Sequence, residues 1–254
     1  MNAYTEQPQV IEYFAKELSW LSFNERVLQE AKDKNNPIIE RIRFLGIFSN
    51  NLDEFFRVRV ADVKRRILLN KLPNANFEED EALLSQIQKK VLQLGKKFNL
   101  IHQQILNDLT AHNIHVDRPE ELSEFHLNWL KNYFHDNVLQ HISPIFLDEN
   151  KDYSDYINDT MTYLFVEMSD EKSHFAMLEV PTDRVSRFII LPPEKTRRHK
   201  TIVMLDDVIL YFLNDVFSNF FTFETIQGHA IKLTRDAEYN LDDGTFKLGG
   251  SSNP

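Results

Sequence analysis

The chain has 254 residues, of which 42% are hydrophobic, so it can bury one large core or two ordinary ones. Its formal net charge of −10 argues against general nucleic-acid binding, because a phosphate backbone calls for a dominant basic surface. The chain has no cysteine, which excludes disulfides and thiolate chemistry. No stretch reaches the ~18 apolar residues of a spanning helix, and the first ten residues lack an export signal. We therefore expect no integral membrane segment and a cytoplasmic location, with association at a membrane surface left open.

The first half of the chain has the apolar spacing of helices. A polar start is followed by a predicted short helix over residues 24–31 and by a second helix beginning at Pro37. Apolar residues at helical spacing over residues 80–112 predict one long helix, preceded by a loop over residues 71–79. This pattern is typical of an antiparallel bundle of about four helices, and we assign it to residues 1–112.

The stretch FLGIFSNNLDEFFRVRVADVKRR, residues 44–66, is the most distinctive in the chain. Asn51 precedes an apolar run with helical spacing, and Glu54 follows three residues later, which is the spacing of a capping box. The sequence therefore predicts that Asn50 and Asn51 break one helix and that Asn51 caps the next. Two interpretations stay open for the helix start. Its basic side chains form a solvated face, or its free N–H groups bind an anion such as a nucleotide phosphate.

Charges around this stretch bear on both interpretations. Residues 41–70, here called the basic window, carry seven basic and three acidic residues, a balance of +4 in an acidic chain. A local basic patch suits a small polyanion or a nucleotide better than a duplex. The carboxylates of Asp53 and Glu54 already interact with the positive end of the helix dipole. A bound phosphate would therefore need a metal ion or nearby arginines to offset the repulsion. Asp53 with Arg57, and Asp62 with Arg66, are four apart and able to pair.

Single residues in the helical half carry smaller expectations. Gly46 lies inside the second predicted helix, where glycine costs about 1 kcal/mol relative to alanine, so we expect close packing against another backbone. Trp20 is interpreted as a core residue. His102, His112 and His115 have no second ligand pair at fixed spacing, so they are interpreted as surface or core histidines rather than metal ligands.

The pattern changes after Ser143. A helix over residues 121–142 precedes four short runs rich in β-branched and aromatic residues, which begin at residues 162, 175, 187 and 201. They predict strands of a mixed or antiparallel sheet. A helix over residues 206–217, capped by Asp206 or Asp207, and a last strand over residues 228–234 complete an α+β domain. We assign this domain to residues 118–243.

Four separated blocks carry a family resemblance. They are ELSWLSFNERVLQEA (17–31), NPIIERIRFLGIFSNNLDEFFRVRVADVKRR (36–66), LPPEKTRRHK (191–200) and LTRDAEYNLDD (233–243). In this order they resemble the bacterial polyphosphate kinase family that works through a phosphohistidine. The resemblance matches only the family's N-terminal and head domains, so the fold class it implies is α+β: a helical bundle followed by a mixed head domain. Residues 244–254 leave the family pattern and have the composition of a flexible tail, which predicts a chain truncated at its C-terminus.

The resemblance implies an activity and its partners. Such enzymes reversibly transfer the terminal phosphate of ATP to a growing inorganic polyphosphate, and their head domain is associated with dimer formation. Asn51 matches the family asparagine in SNNLDEF that contacts the nucleotide, and it is the only nucleotide-binding residue carried over. In residues 192–200 we favour a solvated hairpin loop, and binding of polyphosphate by Arg197, Arg198 and Lys200 is the alternative.

The sequence also lacks parts that the reaction needs. Its nine histidines do not match the family's phosphohistidine motif, and it contains neither a GxxxxGK[ST] nor a GxGxxG loop. We assign no catalytic residue and no metal ligand, and we expect the Mg²⁺ ligands in domains that this chain lacks. The chain alone is expected to be inactive. The competing hypothesis is a non-catalytic interaction module built on the bundle and the head domain.

Overall fold

The computed structural model of the chain describes residues 15–69, 77–159, 161–170, 172–195, 198–220 and 222–235. The fold class predicted from the sequence, a helical bundle followed by an α+β domain, is confirmed. The chain forms two compact units: the first contains the described residues up to His102, and the second runs from Gln103 to Arg235. The predicted domain limits of 1–112, 118–243 and 244–254 stay predictions, and the last of these lies outside the described residues.

The helical half consists of a few long elements. They are α1 (Lys16–Lys32), α2 (Ile38–Glu54), α3 (Ala61–Leu69) and α4 (Phe77–Thr110), and the π-helical segment Phe55–Val60 joins α2 directly to α3. Helix α1 packs against α2. The apolar residues at three- and four-residue steps do form the buried face, with Leu21 and Leu28 of α1, Leu45 and Phe48 of α2, and Ile87 and Leu94 of α4.

Two predictions for this half are corrected. Helix α1 begins at Lys16 and not near residue 24, since Leu21, ahead of Asn24, already lies on its buried face. A Cβ built on Gly46 would have no atom within 4 Å, so the expected close backbone packing is wrong. Gly46 instead lies on the exposed side of α2. The long helix predicted over residues 80–112 is confirmed as α4. Residues 71–76 of the predicted loop lie outside the described residues, and residues 77–79 belong to α4.

The α+β half contains two sheets. Its strands are β1 (Ile114–Val116), β2 (Ile145–Leu147), β3 (Tyr163–Ser169), β4 (Ser173–Glu179), β5 (Phe188–Ile190), β6 (Lys200–Met204) and β7 (Thr225–Ile231). One sheet has the order β1-β6-β5, in which β1 runs parallel to β6 and β5 antiparallel to it. The other has the order β2-β4-β3-β7 and is antiparallel throughout. The predicted mixed and antiparallel arrangements therefore both occur, each in its own sheet.

The four predicted strands correspond to β3, β4, β5 and β6, whereas β1 and β2 were not predicted. Each of these two strands has three residues, too few for a period of two to be visible. The last strand, β7, begins at Thr225, three positions before its predicted start at residue 228.

The helices of this half are shorter than predicted. The helix predicted over residues 121–142 is α5 (Glu124–Tyr133), followed by a π-helical segment (Phe134–Val138) and a 3₁₀ turn (Leu139–His141). The helix predicted over residues 206–217 is divided into α6 (Leu205–Tyr211) and α7 (Leu213–Phe217). Asp206 and Asp207 do not cap α6, because β6 runs directly into it and Met204 occupies the N-cap position without a side-chain cap bond.

An apolar core runs through these strands and helices. Phe134, Leu164, Val203 and Phe217 are fully buried, and Phe134 stacks on Phe212 with ring centroids 4.8 Å apart. No helix in the described part of the chain is long and apolar enough to cross a membrane.

Candidate functional site

Asn51 lies in the last turn of α2 and not at a helix start. The backbone N–H of Phe55 donates to the carbonyls of Asn51 and Leu52, so the helix continues into the π-helical segment without a break. The predicted cap at Asn51, and the anion site built on free N–H groups at that position, are therefore wrong. Asparagine in a helix interior costs only about 0.7 kcal/mol relative to alanine, which the burial of Phe48 and Phe55 on either side outweighs.

The side chain of Asn51 has a structural partner that the sequence did not reveal. Its Nδ2 donates to Oδ1 of Asn24 at 3.1 Å, and Nδ2 of Asn24 donates to the carbonyl of Phe48 at 3.1 Å. Asn24 is fully buried, whereas Asn51 is half-buried. Among the described residues the side chain of Asn51 makes no other hydrogen bond, so its amide oxygen and its second N–H are available to a ligand. The Asn24–Asn51 pair thus holds the amide of Asn51 while leaving about three of its four possible hydrogen bonds unused.

The π-helical segment Phe55–Val60 follows the last turn of α2 directly. Phe55 is buried and stacks on Trp20 of α1 with ring centroids 4.8 Å apart, and Val60 is buried as well. Residues five apart come onto the same side of a π-helical turn, whose hydrogen bonds run from i to i+5. Trp20 itself is half-buried, so its interpretation as a core residue is confirmed only in part. The π-helical segment therefore begins with a residue packed on α1.

Arg41 is the member of the basic window that does not lie on the surface. It is buried, and its Nε donates to the carbonyl of Ala31 at 2.9 Å. Ala31 lies in the last turn of α1, where helix carbonyls lack partners of their own. Arg41 is thus a structural cation at the end of α1.

Most of the other basic side chains of the basic window form ion pairs with carboxylates. Arg57 pairs with Glu54 at 2.5 Å, and not with Asp53 as its spacing predicted. Arg66 pairs with Asp62 as predicted, at 2.5 Å, and also with Asp80 at 3.0 Å.

Two further pairs complete this pattern: Arg43 with Glu40 at 2.6 Å and Arg65 with Asp62 at 3.8 Å. Within the described ranges, Arg59 and Lys64 are exposed and take part in no ion pair. The surface charge that is left for a polyanion is therefore much smaller than the sequence count of +4 indicates.

A separate ion-pair cluster links α1 to α4. Glu25 of α1 accepts from Lys90 at 2.5 Å and from Lys97, both on α4. Hydrogen bonds from Lys90 and then Lys97 hold the pKa of Glu25 below its usual value. This cluster fixes two helices of the bundle and has no features of a reaction centre.

The predicted polyphosphate loop is only partly described. Residues 191–199 connect the antiparallel strands β5 and β6, so the hairpin is confirmed. Arg198 and Lys200 are exposed, and Arg197 lies outside the described residues. Binding of polyphosphate here stays a prediction.

A cluster that the sequence analysis did not predict lies beside this hairpin. Donor atoms of His115, Asp117 and His199 are all within 4.8 Å of one another. The pairing of β1 with β6 brings them together across more than eighty residues of sequence, a separation over which no local spacing rule applies. The only sequence signal is that both histidines adjoin short β-branched runs.

Proteins of known identity resemble the chain along nearly its whole length. Residues 13–116 match the family model of the polyphosphate kinase N-terminal domain, and residues 126–248 match that of the polyphosphate kinase middle domain. The polyphosphate kinases of Vibrio cholerae and Escherichia coli are 47% and 45% identical to it over 230 residues. Those residues are 90% of this chain and 33% of each relative.

A solved structure is similar as well. The crystal structure of polyphosphate kinase from Porphyromonas gingivalis matches with a TM-score of 0.77 at 34% identity, covering 92% of this chain and 34% of that one. The chain thus spans about a third of the length of the relatives that it matches.

Proposed function

This chain belongs to the polyphosphate kinase family, and we propose that it forms the N-terminal and head part of a polyphosphate kinase. Such an enzyme reversibly transfers the terminal phosphate of ATP to a growing inorganic polyphosphate through a phosphohistidine. The observation that carries the proposal is the match to two family domains, in order, over most of the chain. ATP, ADP and polyphosphate are the proposed ligands of the whole enzyme, and Mg²⁺ is its proposed metal, held by residues other than those of this chain.

The proposed contribution of this chain is a nucleotide contact at Asn51. Its unused amide oxygen and N–H can accept from and donate to a nucleotide, and Asn24 fixes the orientation of the amide. Groups held in place by a second hydrogen bond lose little freedom on binding, which favours affinity. The adjoining π-helical segment gives further support, because such turns are frequent at functional sites.

A test separates this role from a purely structural one. Asn51→Ala and Asn24→Ala both remove the bond between the two amides, but only the first removes the proposed ligand contact. Placed at the matching positions of a full-length relative, both variants should lose stability. Asn51→Ala and Asn51→Asp should raise the apparent KM for ATP by about tenfold or more, since both remove the amide and a carboxylate also repels phosphate. Asn24→Ala should raise KM less, because it loses only the fixed orientation of the Asn51 amide.

The neighbouring Asn50 supplies the control. Its side chain is exposed and makes no hydrogen bond among the described residues, so Asn50→Ala should change neither stability nor KM. If Asn51→Asp uses ATP like the wild type, or if Asn24→Ala raises KM equally, the nucleotide role is lost and Asn51 only supports Asn24.

The second part of the proposal concerns the 254-residue chain by itself. It should form no polyphosphate from radiolabelled ATP and Mg²⁺, because none of its nine histidines matches the family's phosphohistidine motif. Labelled polymer made by the pure chain would overturn this part of the proposal.

A second candidate function rests on a specific surface. Strand β5 is the edge of the three-stranded sheet, and it exposes Phe188 (56%) and Ile190 (64%). An apolar edge strand favours pairing with another chain, so the interaction-module hypothesis and the proposed homo-oligomer through the head domain both draw support from it. Analytical ultracentrifugation of wild type and Ile190→Lys tests it, with Leu92→Lys on exposed α4 surface as the control. Association that persists in Ile190→Lys contradicts a contact through β5.

A further inference from the structure

The cluster of His115, Asp117 and His199 is built on the parallel pair β1 and β6. His115 is the middle residue of β1 and lies opposite Thr201 in the register. Beyond the strand ends the ladder continues, since Lys200 N–H donates to the carbonyl of Asn113 and Asp117 N–H to that of Ile202. Backbone hydrogen bonds on both sides therefore fix where the three side chains begin.

The pleat places the three side chains on one face. His115 and Asp117 are two residues apart, and so are His199 and Thr201. Side chains two apart in a strand share a face, and residues opposite each other in the register share it too. Lys200 alternates to the other face. The geometry of the paired strands therefore places the three side chains on one face of the sheet. The cation of Lys200 lies on the opposite face and does not come between them.

The donor atoms are nearly close enough for one metal ion. All three lie within 4.8 Å of one another, and the imidazole rings of His115 and His199 stack with centroids 3.8 Å apart. Ligands on one Zn²⁺ at about 2.0–2.2 Å from the ion lie roughly 3–4 Å apart, so an adjustment of about 1 Å by side-chain rotation would complete the site. The rings now lie 20° from parallel, so binding would tilt them until their lone pairs converge. Among the described residues, the carboxylate of Asp117 is engaged in no hydrogen bond or ion pair.

From this geometry we propose that His115, Asp117 and His199 bind a borderline divalent transition metal, with Zn²⁺ as the reference ion, and that the ion clamps β1 to β6. Two imidazoles and one carboxylate suit Zn²⁺, whereas Mg²⁺ prefers an all-oxygen octahedron. Three protein ligands leave a fourth position for water or another small ligand. The proposed metal site does not depend on the proposed nucleotide contact at Asn51.

The primary experiment uses the purified 254-residue chain. Titration with Zn²⁺ in calorimetry should show one saturable equivalent per chain, and titration with Co²⁺ should give the visible absorption of a low-symmetry, four-coordinate ion. Mg²⁺ at the same concentration should do neither. Because the ion binds the folded pairing of β1 and β6, Zn²⁺ should also raise the melting temperature. A wild-type chain that takes up no Zn²⁺ overturns the proposal.

Matched variants locate the site. His115→Gln, Asp117→Asn and His199→Gln should each weaken Zn²⁺ binding by more than about 100-fold, beyond the usual cost of losing an outer-shell partner. His112→Gln is the control. His112 is exposed, lies three residues before His115 and is not among the proposed ligands. Variants that bind Zn²⁺ like the wild type would refute the assignment.

A measurement on the wild type avoids reliance on variants that fail to fold. In NMR spectra of the imidazole nuclei, Zn²⁺ should shift the rings of His115 and His199 and leave the other histidines unchanged. Shifts confined to other histidines would equally overturn the proposal.

Discussion

The helical region and the α+β region bury polar groups in different ways. In the first, Asn24 and Arg41 are buried and each donates to a backbone carbonyl, Asn24 to one inside α2 and Arg41 to one in the last turn of α1. In the second, the buried polar residues are Thr201, whose Oγ1 has no hydrogen-bond partner among the described residues, and His126, whose Nε2 lies 2.9 Å from the carbonyl oxygen of Pro192. There the backbone ladders of two sheets supply the order. A sheet has its register set by backbone hydrogen bonds, whereas packed helices can slide or rotate unless side chains fix them. The contrast indicates that buried amides and a buried guanidinium set the helix positions around Asn51.

The largest effect is expected from a substitution in the apolar core of the α+β region. Phe134→Ala should destabilise the chain by about 3–5 kcal/mol, since Phe134 is fully buried and stacks on Phe212. Urea unfolding followed by circular dichroism measures the loss. Phe125→Ala is the control, because Phe125 is 51% exposed and should cost under about 1 kcal/mol. Equal losses in the two variants would show that the core does not carry the stability of this region.

The polar side of the comparison is tested by a pair of substitutions of opposite sign. Asn24→Ala should cost about 1–3 kcal/mol, because it removes one buried and one partly buried hydrogen bond. Thr201→Val should be neutral or should stabilise by about 1 kcal/mol, since Oγ1 of Thr201 is buried without a hydrogen-bond partner among the described residues. Thermal unfolding in the absence of metal measures both. If Thr201→Val lost as much stability as Asn24→Ala, the two regions would not differ in how much their buried polar side chains contribute to stability.

Two glycines sharpen the comparison through packing. A Cβ on Gly228 would lie 2.5 Å from Leu210 Cδ2 and 2.9 Å from Leu213 Cδ1, so Gly228→Ala should cost about 1–3 kcal/mol. Gly46→Ala meets no atom within 4 Å on exposed α2 and should stabilise by about 1 kcal/mol. Denaturant midpoints of the two variants should move in opposite directions, and a shift of Gly46→Ala to lower stability would contradict the open surroundings.

The smallest expected effect concerns pH. Lys90 and Lys97 hold the folded-state pKa of Glu25 below its usual value of 4.5, so folding favours the ionised carboxylate. The resulting stabilisation is complete above the usual pKa and is lost as the pH falls through the lower folded-state pKa. Its size should stay below about 1 kcal/mol and decrease with salt. Glu25→Gln should therefore reduce the dependence of the unfolding free energy on pH at acid pH. An unchanged pH dependence would show that the pairing of Glu25 with Lys90 and Lys97 does not stabilise the fold.

Features set by interactions between residues close in sequence could be predicted, whereas those set by distant residues could not. Helix α4 and strands β3 to β6 were predicted because their apolar periods are local properties of long or strongly patterned segments. The break at Asn51 was wrong because residues that favour caps are also tolerated inside a helix when packing on both sides outweighs propensity. The partner of Asn51 is 27 residues away on α1, and no spacing rule connects the two. The same holds for the residues that β1 and β6 bring together.

The parallel pairing of β1 with β6 also has a kinetic consequence. Strand β1 cannot pair until β6 has been synthesised, about 85 residues later, which at about 5–20 residues per second is a wait of roughly 4–17 seconds. Loop closure over that separation is among the slower steps expected for the chain, and it leaves a newly made strand edge unpaired in the meantime. Pulse-labelling hydrogen exchange during refolding should find the amides that join β1 to β6 protected after those of the β3–β4 hairpin, whose two strands follow each other directly. The order of the strands in the sequence thus sets an interval in which this nascent chain is most exposed to aggregation.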